Sequence, residues 1–290
     1  MVGASIITLF ALGLVAAVLL AVASRVFHVD EDPRVQAVLE VLPGANCGGC
    51  GFAGCEGYAT AVVNDPAIPA NRCCAGGAEV RIAVGELTGK AVAEADPLRS
   101  LRRCDKNAGN VALRYQYEGM PSCAAAAMLR GGVDTCKYSC LGFGDCVQVC
   151  PFGAMRIEDG VVRVNANLCT GCGACTGACP RGVLELVPKR ARIAVFCNSR
   201  DKLRAVSDVC DVGCISCGKC VKTCPAKALS MKDSRVEVDQ RLCLSYGNEC
   251  GQACISTCPR HILRPINGIS AAVRTAGAAS AATATGAPAA

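Results

Sequence analysis

The stretch CVQVCPFGAMRIEDGVVRVNANLC, residues 146–169, decides the fold of this chain because it recurs 74 residues later as CVKTCPAKALSMKDSRVEVDQRLC, residues 220–243. Five cysteines of the first copy recur at the same offset in the second; they are Cys136, Cys140, Cys146, Cys150 and Cys169. Such agreement over this length indicates that the chain carries one structural unit twice, over residues 136–180 and 210–259.

Each unit contains one complete C-x₂-C-x₂-C-x₃-C-P run, over residues 169–180 and 214–225. This spacing is the signature of bacterial ferredoxins, in which three thiolates bind one [4Fe–4S] cube and the fourth binds the neighbouring cube. Zinc sites instead favour separated C-x-x-C pairs. The final proline ends the ligand segment because it can neither continue a helix nor donate a hydrogen bond. Both units therefore resemble ferredoxin domains with two [4Fe–4S] clusters.

The other half of each unit departs from this run. Phe143 stands in the first unit where the second has Cys217, and Cys136 is the obvious substitute ligand. Its counterpart Cys210 is then spare. In the second unit the later half, which begins at Cys243, is five residues longer than the standard run. We still expect it to bind a cluster.

Cross-ligation between the two halves of each unit predicts four ligand sets. They are Cys136/Cys140/Cys146/Cys179, Cys150/Cys169/Cys172/Cys175, Cys214/Cys217/Cys220/Cys258 and Cys224/Cys243/Cys250/Cys254. Runs rich in β-branched residues at 161–164 and 236–238 predict the small hairpins of a ferredoxin fold.

A third cysteine motif, CGGCGFAGC at residues 47–55, contains the letters of a G-x-G-x-x-G nucleotide-binding turn. That turn requires a preceding strand and an acidic residue about 20 positions further on. A helix-and-turn segment precedes it instead, and no acid in a strand-like context follows at that distance. As a metal site the motif supplies Cys47, Cys50 and Cys55, with glycines that let the backbone fold closely around a cube. Cys73 or Cys74 completes the set.

The composition agrees with cluster binding. The chain has 25 cysteines, no tryptophan and only two histidines, so an apolar core is small and zinc fingers that need paired histidines are excluded. The formal charge of +6 does not indicate a nucleic-acid partner, since five clusters at about −2 each bring the total to roughly −4. The basic residues are also scattered.

Residues 3–23 are uncharged and rich in Leu, Val, Ile and Ala, which is long enough for one membrane-spanning helix. The alternative is a secretory signal with a cleavage box at 21–23, but a basic segment before the apolar run is missing. Arg25 and Arg34 follow the span, so the rest of the chain is expected on the cytoplasmic side of the cell membrane. A helix is predicted to begin at Asp32-Pro33, where Pro occupies the first helical position.

The segments DPRVQAVLEVLPGANCGGCGFAGCEGYA and NRCCAGGAEV resemble the N-terminal iron–sulfur domain of the B subunit of the Rnf electron-transport complex. RYQYEGMPSC and TCKYSCLGFGDCVQVCPFGA resemble the longer, multi-cluster members of that family. The register of the resemblance selects Cys73 as the fourth N-terminal ligand.

This resemblance implies a membrane-anchored relay in an ion-translocating ferredoxin:NAD oxidoreductase, an enzyme complex that couples electron transfer to Na⁺ or H⁺ movement. Soluble ferredoxin would be the electron donor and other membrane subunits the acceptors. NAD would bind to another subunit. About five [4Fe–4S] clusters are implied in this chain.

The predicted fold class is α+β, with one N-terminal transmembrane helix, a small four-cysteine [4Fe–4S] domain and two tandem ferredoxin domains. The predicted boundaries are 1–26 for the anchor, 30–90 for the N-terminal cluster domain, 91–130 for a connector of unclear structure, 131–190 and 191–264 for the two ferredoxin domains and 265–290 for a disordered tail rich in Ala, Gly and Thr.

Two other functions compete with this one. A polyferredoxin subunit of another membrane oxidoreductase, such as a hydrogenase or a formate-oxidising complex, has the same cysteine spacing, and a structural thiolate-zinc protein has the same cysteine content. Five cysteines remain without a ligand role, either as buried small hydrophobic side chains or as ligands of a further cluster. They are Cys74, Cys104, Cys123, Cys197 and Cys210.

Overall fold

The computed structural model describes residues 2–26, 32–92, 96–107 and 109–266. Its α-helices are α1 (Val2–Val26), α2 (Pro33–Val41), α3 (Cys55–Asn64), α4 (Gly77–Thr88), α5 (Cys123–Met128), α6 (Asp145–Gln148), α7 (Ala174–Ala178), α8 (Leu203–Ser207), α9 (Lys219–Thr223), α10 (Gln240–Ser245) and α11 (Ala253–Ser256). Its strands are β1 (Leu98–Arg102), β2 (Met155–Glu158), β3 (Val161–Val164), β4 (Leu184–Pro188), β5 (Ile193–Val195), β6 (Leu229–Lys232), β7 (Arg235–Val238) and β8 (Leu263–Pro265).

Helix α1 presents large apolar side chains to its surroundings. Phe10, Leu12 and Leu20 are 70–74% exposed. Among the residues described, no helix combines the length and the apolar character needed to cross a membrane.

The N-terminal cysteine motif is supported by three helices, α2, α3 and α4. Asp32 caps α2 by accepting the backbone N–H of Arg34 at 2.9 Å, which confirms the predicted helix start. Val38 of α2, Val62 of α3 and Val84 of α4 are fully buried against one another. This small core fixes the loop that carries the first cysteines.

In the first repeat unit, β2 and β3 form an antiparallel hairpin, and β3 covers the predicted run at 161–164. A second antiparallel pair joins β4 to β1. Strand β1 lies within residues 91–130, which the sequence predicts only as a connector. Part of that segment is thus an edge of the first ferredoxin unit.

The second unit repeats the arrangement. Strands β6 and β7 form its hairpin, and β7 covers the predicted run at 236–238. Strand β5 pairs with β8 as β1 pairs with β4. Ile266, at the start of the predicted disordered tail, is buried with 1% exposure, and residues 267–290 of that tail lie outside the described residues.

The two repeat units are joined by a buried arginine. The Arg103 guanidinium donates to the Glu185 carboxylate of the first unit at 2.8 Å and to the Val236 carbonyl of the second at 2.5 Å. Arg264 of β8 also forms an ion pair with Asp105, just after β1. The units therefore share polar contacts as well as a chain connection.

Candidate metal centres

Two cavities in the second unit are each lined by four cysteines. One is lined by Cys214, Cys217, Cys220 and Cys258, and the other by Cys224, Cys243, Cys250 and Cys254. Each set takes three thiols from one half of the unit and one from the other, because α9 and α11 pack together and carry cysteines of both sets. The spacing of the cysteines predicts the same two groups. Cys217 is the exposed member.

A third cavity lies in the later half of the first unit, lined by Cys150, Cys169, Cys172 and Cys175, again the group that the spacing predicts. Strand β1 closes one side of it. The backbone N–H of Ser100 donates to Cys169 Sγ at 3.2 Å, and Ser100 Oγ lies 3.4 Å from Cys175 Sγ. Nothing in the cysteine pattern indicates Ser100, because the pairing of β1 with β4 brings it there from outside the repeat.

The fourth cavity differs from the sequence prediction. It is lined by Cys123, Cys140, Cys146 and Cys179, whereas the spacing predicts Cys136 in place of Cys123. Phe143, which stands where a cysteine is missing, packs its ring against Tyr117 at 5.3 Å between centroids. Helix α5, which lies outside the repeat, supplies the thiol instead.

Asp145 of α6 holds the start of α5 at this cavity. Its carboxylate accepts the backbone N–H of Cys123 at 2.8 Å, the N–H of Ala124 at 3.0 Å and the hydroxyl of Ser122 at 3.0 Å. Burial acts to raise the pKa of Asp145, but these hydrogen bonds hold it below its ordinary value. A carboxylate anchored in this way fixes Cys123 beside α6.

The N-terminal thiols gather at the end of α2 and the start of α3. Cys73 is buried and packs with Cys50 and Cys55. Burial raises the pKa of its thiol, and the backbone N–H groups of Gly76 and Ala75 lower it. Cys73 therefore packs beside the cysteines of the N-terminal motif. It is also the fourth ligand that the family resemblance selects.

Cys74 lies beside Gly49 of the same motif, at the contact with Cys172. Burial, with the nearby thiols of Cys47 and Cys172, raises its pKa to about 12. A Cβ atom at Gly49 would lie 2.5 Å from the carbonyl oxygen of Cys172 and 2.7 Å from the Cys74 sulfur. The N-terminal motif thus touches the first ferredoxin unit at the cavity of Cys172, and only a glycine fits at this contact.

Buried arginines lie beside the thiols. Within the described ranges, buried guanidinium nitrogens without a hydrogen-bond partner occur on Arg99, Arg102, Arg103, Arg181 and Arg192. Burial lowers the pKa of Arg99, and the neighbouring Cys169 raises it. Nη2 of Arg192 lies 3.9 Å from Cys250 Sγ.

Arg102 and Arg103 pair with the carboxylates of Asp105 and Glu185, yet each keeps a buried guanidinium nitrogen without a partner, and such a group is costly to bury. A four-thiolate [4Fe–4S] centre carries about −2, so these residues fit it. All 25 cysteines are free thiols. In the part of the chain that the structure describes, no group of three or more His, Cys, Asp or Glu side chains is arranged to hold one metal ion. A cube places each of its four thiolates on a different iron.

Comparison with known families identifies the class. A family described as "Putative Fe-S cluster" matches residues 42–75. A second, described as "4Fe-4S dicluster domain", matches residues 139–183 and 213–262. The chain is an iron–sulfur protein with one N-terminal cluster motif and two dicluster domains.

Three relatives define the family. The B subunit of the proton-translocating ferredoxin:NAD(+) oxidoreductase complex of Clostridium ljungdahlii is 44% identical over 88% of this chain and 89% of the relative. The B subunit of the ion-translocating oxidoreductase complex of Methanosarcina acetivorans is 44% identical over 88% and 95%. The B subunit of the Na(+)-translocating ferredoxin:NAD(+) oxidoreductase complex of Acetobacterium woodii is 37% identical over 84% and 74%. The chain belongs to this family of B subunits of ion-translocating Rnf-type oxidoreductases.

The contact at Gly49 leads to a first prediction. In a Gly49→Ala variant the new Cβ meets the Cys172 carbonyl, so the N-terminal motif must move away from the first ferredoxin unit. We expect a local loss on the order of 1 kcal/mol, measured as roughly fivefold faster hydrogen–deuterium exchange of the amides at 170–174.

Gly177→Ala is the matched control, because a Cβ there meets nothing within 4 Å and the residue lies in α7. Equal exchange at 170–174 in both variants and the wild type would contradict the close contact.

Proposed function

We propose that this chain is the iron–sulfur electron-transfer subunit of an ion-translocating ferredoxin:NAD oxidoreductase complex. The observation that carries the proposal is the set of four cavities in the two ferredoxin units, each lined by four cysteines. Clusters bound there would accept and pass on single electrons. Soluble ferredoxin is the proposed donor, and other membrane subunits are the proposed partners.

Four of the proposed ligand sets are the cysteines that line the four cavities. The N-terminal set combines the three motif cysteines with Cys73, which packs against two of them. The sets are Cys47/Cys50/Cys55/Cys73, Cys150/Cys169/Cys172/Cys175, Cys123/Cys140/Cys146/Cys179, Cys214/Cys217/Cys220/Cys258 and Cys224/Cys243/Cys250/Cys254. Cys123 replaces Cys136 in the third set because it lines that cavity.

Backbone N–H groups and arginine side chains of this chain favour a bound anion at these sites. Backbone N–H groups aimed at sulfur, as from Ser100 to Cys169, stabilise thiolates through charge-assisted hydrogen bonds. Guanidinium groups with buried nitrogens, such as those of Arg99 and Arg192, add positive charge at close range. Burial of the thiols excludes water. Together these features set the reduction potential of a centre.

The proposed role leaves nucleotide chemistry to another subunit. The G-x-G-x-x-G letters at 49–54 lie between α2 and α3, so a helix precedes them rather than the strand that a dinucleotide fold requires. Their glycines serve the cysteine loop, as the contact at Gly49 illustrates.

The ligand sets are tested by counting iron in protein purified without oxygen. Cys217→Ala and Cys123→Ala should each remove about one to four irons per chain, depending on whether a three-iron cluster survives. Cys74→Ala is the control and should keep the wild-type count, since Cys74 is in no set. A wild-type chain with no iron and no EPR signal after dithionite reduction would refute the proposed function. An unchanged count in Cys123→Ala would return that ligand position to Cys136.

Arg192 provides a test of the electrostatics. Its replacement in Arg192→Leu removes a positive charge beside Cys250, so reduction of that centre, which adds negative charge, becomes less favourable. We expect one EPR-monitored potential to fall by roughly 40 mV, equivalent to about 1 kcal/mol.

Arg190→Leu is the control, because the Arg190 side chain is 65% exposed and pairs with Asp96. A potential that is unmoved in Arg192→Leu, or moved equally in both variants, would contradict the assignment.

We also propose that α1 anchors the chain in the cell membrane, with the iron–sulfur domains on the cytoplasmic side. The support is the uncharged run at 3–23, the exposure of Phe10, Leu12 and Leu20 and the arginines that follow. Water is an unfavourable surrounding for such a helix.

Deletion of residues 1–24 tests the anchor. The truncated chain should move from the membrane fraction to the soluble fraction and keep its iron. A full-length chain that is soluble, or a truncated one that stays on membranes lacking the other subunits, would contradict the anchor.

A further inference from the structure

Strands β1 and β5 hold the same place in the two ferredoxin units. Just after β1, the backbone N–H of Arg103 donates to the carbonyl of Val183 at 2.7 Å, and just after β5 that of Phe196 donates to the carbonyl of Ile262 at 2.8 Å. Both acceptors lie three residues after the proline that follows the last cysteine of their unit. The two strands are therefore in the same register, and each residue of β5 has a counterpart in β1.

Each strand reaches one cavity of its unit, which we call the later-half cavity. Its cysteines are Cys150, Cys169, Cys172 and Cys175 in the first unit and Cys224, Cys243, Cys250 and Cys254 in the second. In the shared register, Ser100 of β1 is the counterpart of Ile193 of β5. Both residues line the later-half cavity of their own unit. One framework thus carries a hydroxyl in the first unit and a hydrocarbon side chain in the second.

The Ser100 hydroxyl faces a sulfur. Ser100 is 3% exposed, and its Oγ lies 3.4 Å from Cys175 Sγ. A thiolate bound to iron has no proton, so in a loaded centre the hydroxyl is the donor of this hydrogen bond. Burial raises the pKa of the Cys175 thiol, and the hydrogen bond with Ser100 lowers it. The side chain of Ser100 therefore favours negative charge on this sulfur.

A second hydroxyl lies at the same cavity. Thr170 lines it, and Thr170 Oγ1 is buried without a hydrogen-bond partner. An unpaired buried hydroxyl is costly, and the sulfur atoms of a cube accept hydrogen bonds. The counterpart of Thr170 in the second repeat is Leu244, because Cys169 corresponds to Cys243. The second unit thus has aliphatic side chains in place of both hydroxyls.

The positive charge beside the two cavities is similar. Arg99 and Arg192 precede Ser100 and Ile193 in the two strands, and each has a buried guanidinium nitrogen without a partner. Nη2 of Arg192 lies 3.9 Å from Cys250 Sγ, as Arg99 lies near Cys169. Because both units have this arginine, the hydroxyls are the polar difference between the two cavities on this side.

We propose that Ser100, supported by Thr170, makes a [4Fe–4S] centre in the later-half cavity of the first unit easier to reduce than the one in the second unit. Reduction adds negative charge, and a hydroxyl that donates to sulfur stabilises that charge. Ile193 and Leu244 have no hydroxyl to donate. The proposal deepens the function proposed above and depends on it, because it concerns how two of those centres share an electron.

The difference between the two centres has a direction along the chain. An electron shared between the later-half cavities rests preferentially on the first unit. The cavity of that unit also lies against the N-terminal motif, where Gly49 packs on the Cys172 carbonyl. The hydroxyls thus hold the electron at the centre that adjoins the N-terminal site.

The test exchanges a hydroxyl for a methyl group at Ser100 in the full chain, purified without oxygen. Ser100→Thr and Ser100→Val have nearly the same shape, and the counterpart Ile193 shows that this framework accepts a β-branched side chain. In Ser100→Val the ratio of reduced to oxidised centre at a fixed potential should fall about fivefold. This is a drop of about 40 mV in one EPR-monitored midpoint, at 59 mV per factor of ten. Ser100→Thr should keep the wild-type midpoint.

The reciprocal pair is Ile193→Thr and Ile193→Val. Ile193→Thr brings a hydroxyl to the second unit, so one midpoint should rise about fivefold in the same ratio relative to Ile193→Val. This midpoint should differ from the one that Ser100→Val lowers, because the two residues line different cavities. If Ser100→Val does not bind its full iron, the Ile193 pair alone decides, and equal midpoints in that pair would overturn the proposal.

Thr176→Val is the matched control. The Thr176 hydroxyl donates to the Gly173 carbonyl at 2.6 Å, so its loss removes no hydrogen bond to sulfur, although Thr176 adjoins Cys175. All midpoints should stay at their wild-type values. A shift in Thr176→Val as large as that in Ser100→Val would contradict the role of Ser100.

Two further results separate this proposal from the proposed function. Fully loaded centres with equal midpoints in Ser100→Thr and Ser100→Val would overturn the role of Ser100 and leave the electron-transfer function intact. A wild-type chain without iron would instead refute the proposed function itself.

Discussion

The constraint on which the rest of the structure depends is the burial of negative charge in a chain with little apolar core. Thiol groups turn inward around small cavities, and backbone N–H groups and arginines surround them. Cysteines make up nearly half of the buried core cluster in both ferredoxin units, and aliphatic residues such as Val161 and Val236 supply most of the rest. Bound clusters therefore act as the core of each unit as well as its function, since domains this small need such a staple.

The same constraint orders the sites along the molecule. Gly49 brings the N-terminal motif against the Cys172 cavity. Helices α6 and α7 connect that cavity to the Cys123 cavity, and α9 and α11 connect the two cavities of the second unit. Within each unit the two cavities thus share a pair of packed helices.

Much of the grouping of the cysteines follows from their spacing in the sequence. A [4Fe–4S] cube fixes the positions of ligands that are close together along the chain. Cross-ligation groups the cysteines of three cavities as the structure does, and the hairpin at β3 and the start of α2 follow from local rules of β-branched residues and capping. The sequence does not predict contacts between segments that lie far apart in the chain. Cys123 lies outside the repeat and reaches its cavity through Asp145, while Ser100 arrives on β1 by pairing with β4. Phe143 marks the position where the first unit lacks a cysteine, but the thiol that lines the cavity there comes from a helix that no spacing rule connects to the motif.

One arginine has a consequence for how the two units work together. Arg103 is 4% exposed and donates to both units at once, so a swing of one unit about the other would break a buried, charged hydrogen bond. Such a break costs on the order of 2 kcal/mol or more. The hydrogen bonds of Arg103 thereby favour one spacing between the units. Since electron tunnelling slows steeply with distance, a favoured spacing makes the transfer rate depend mainly on the folded chain.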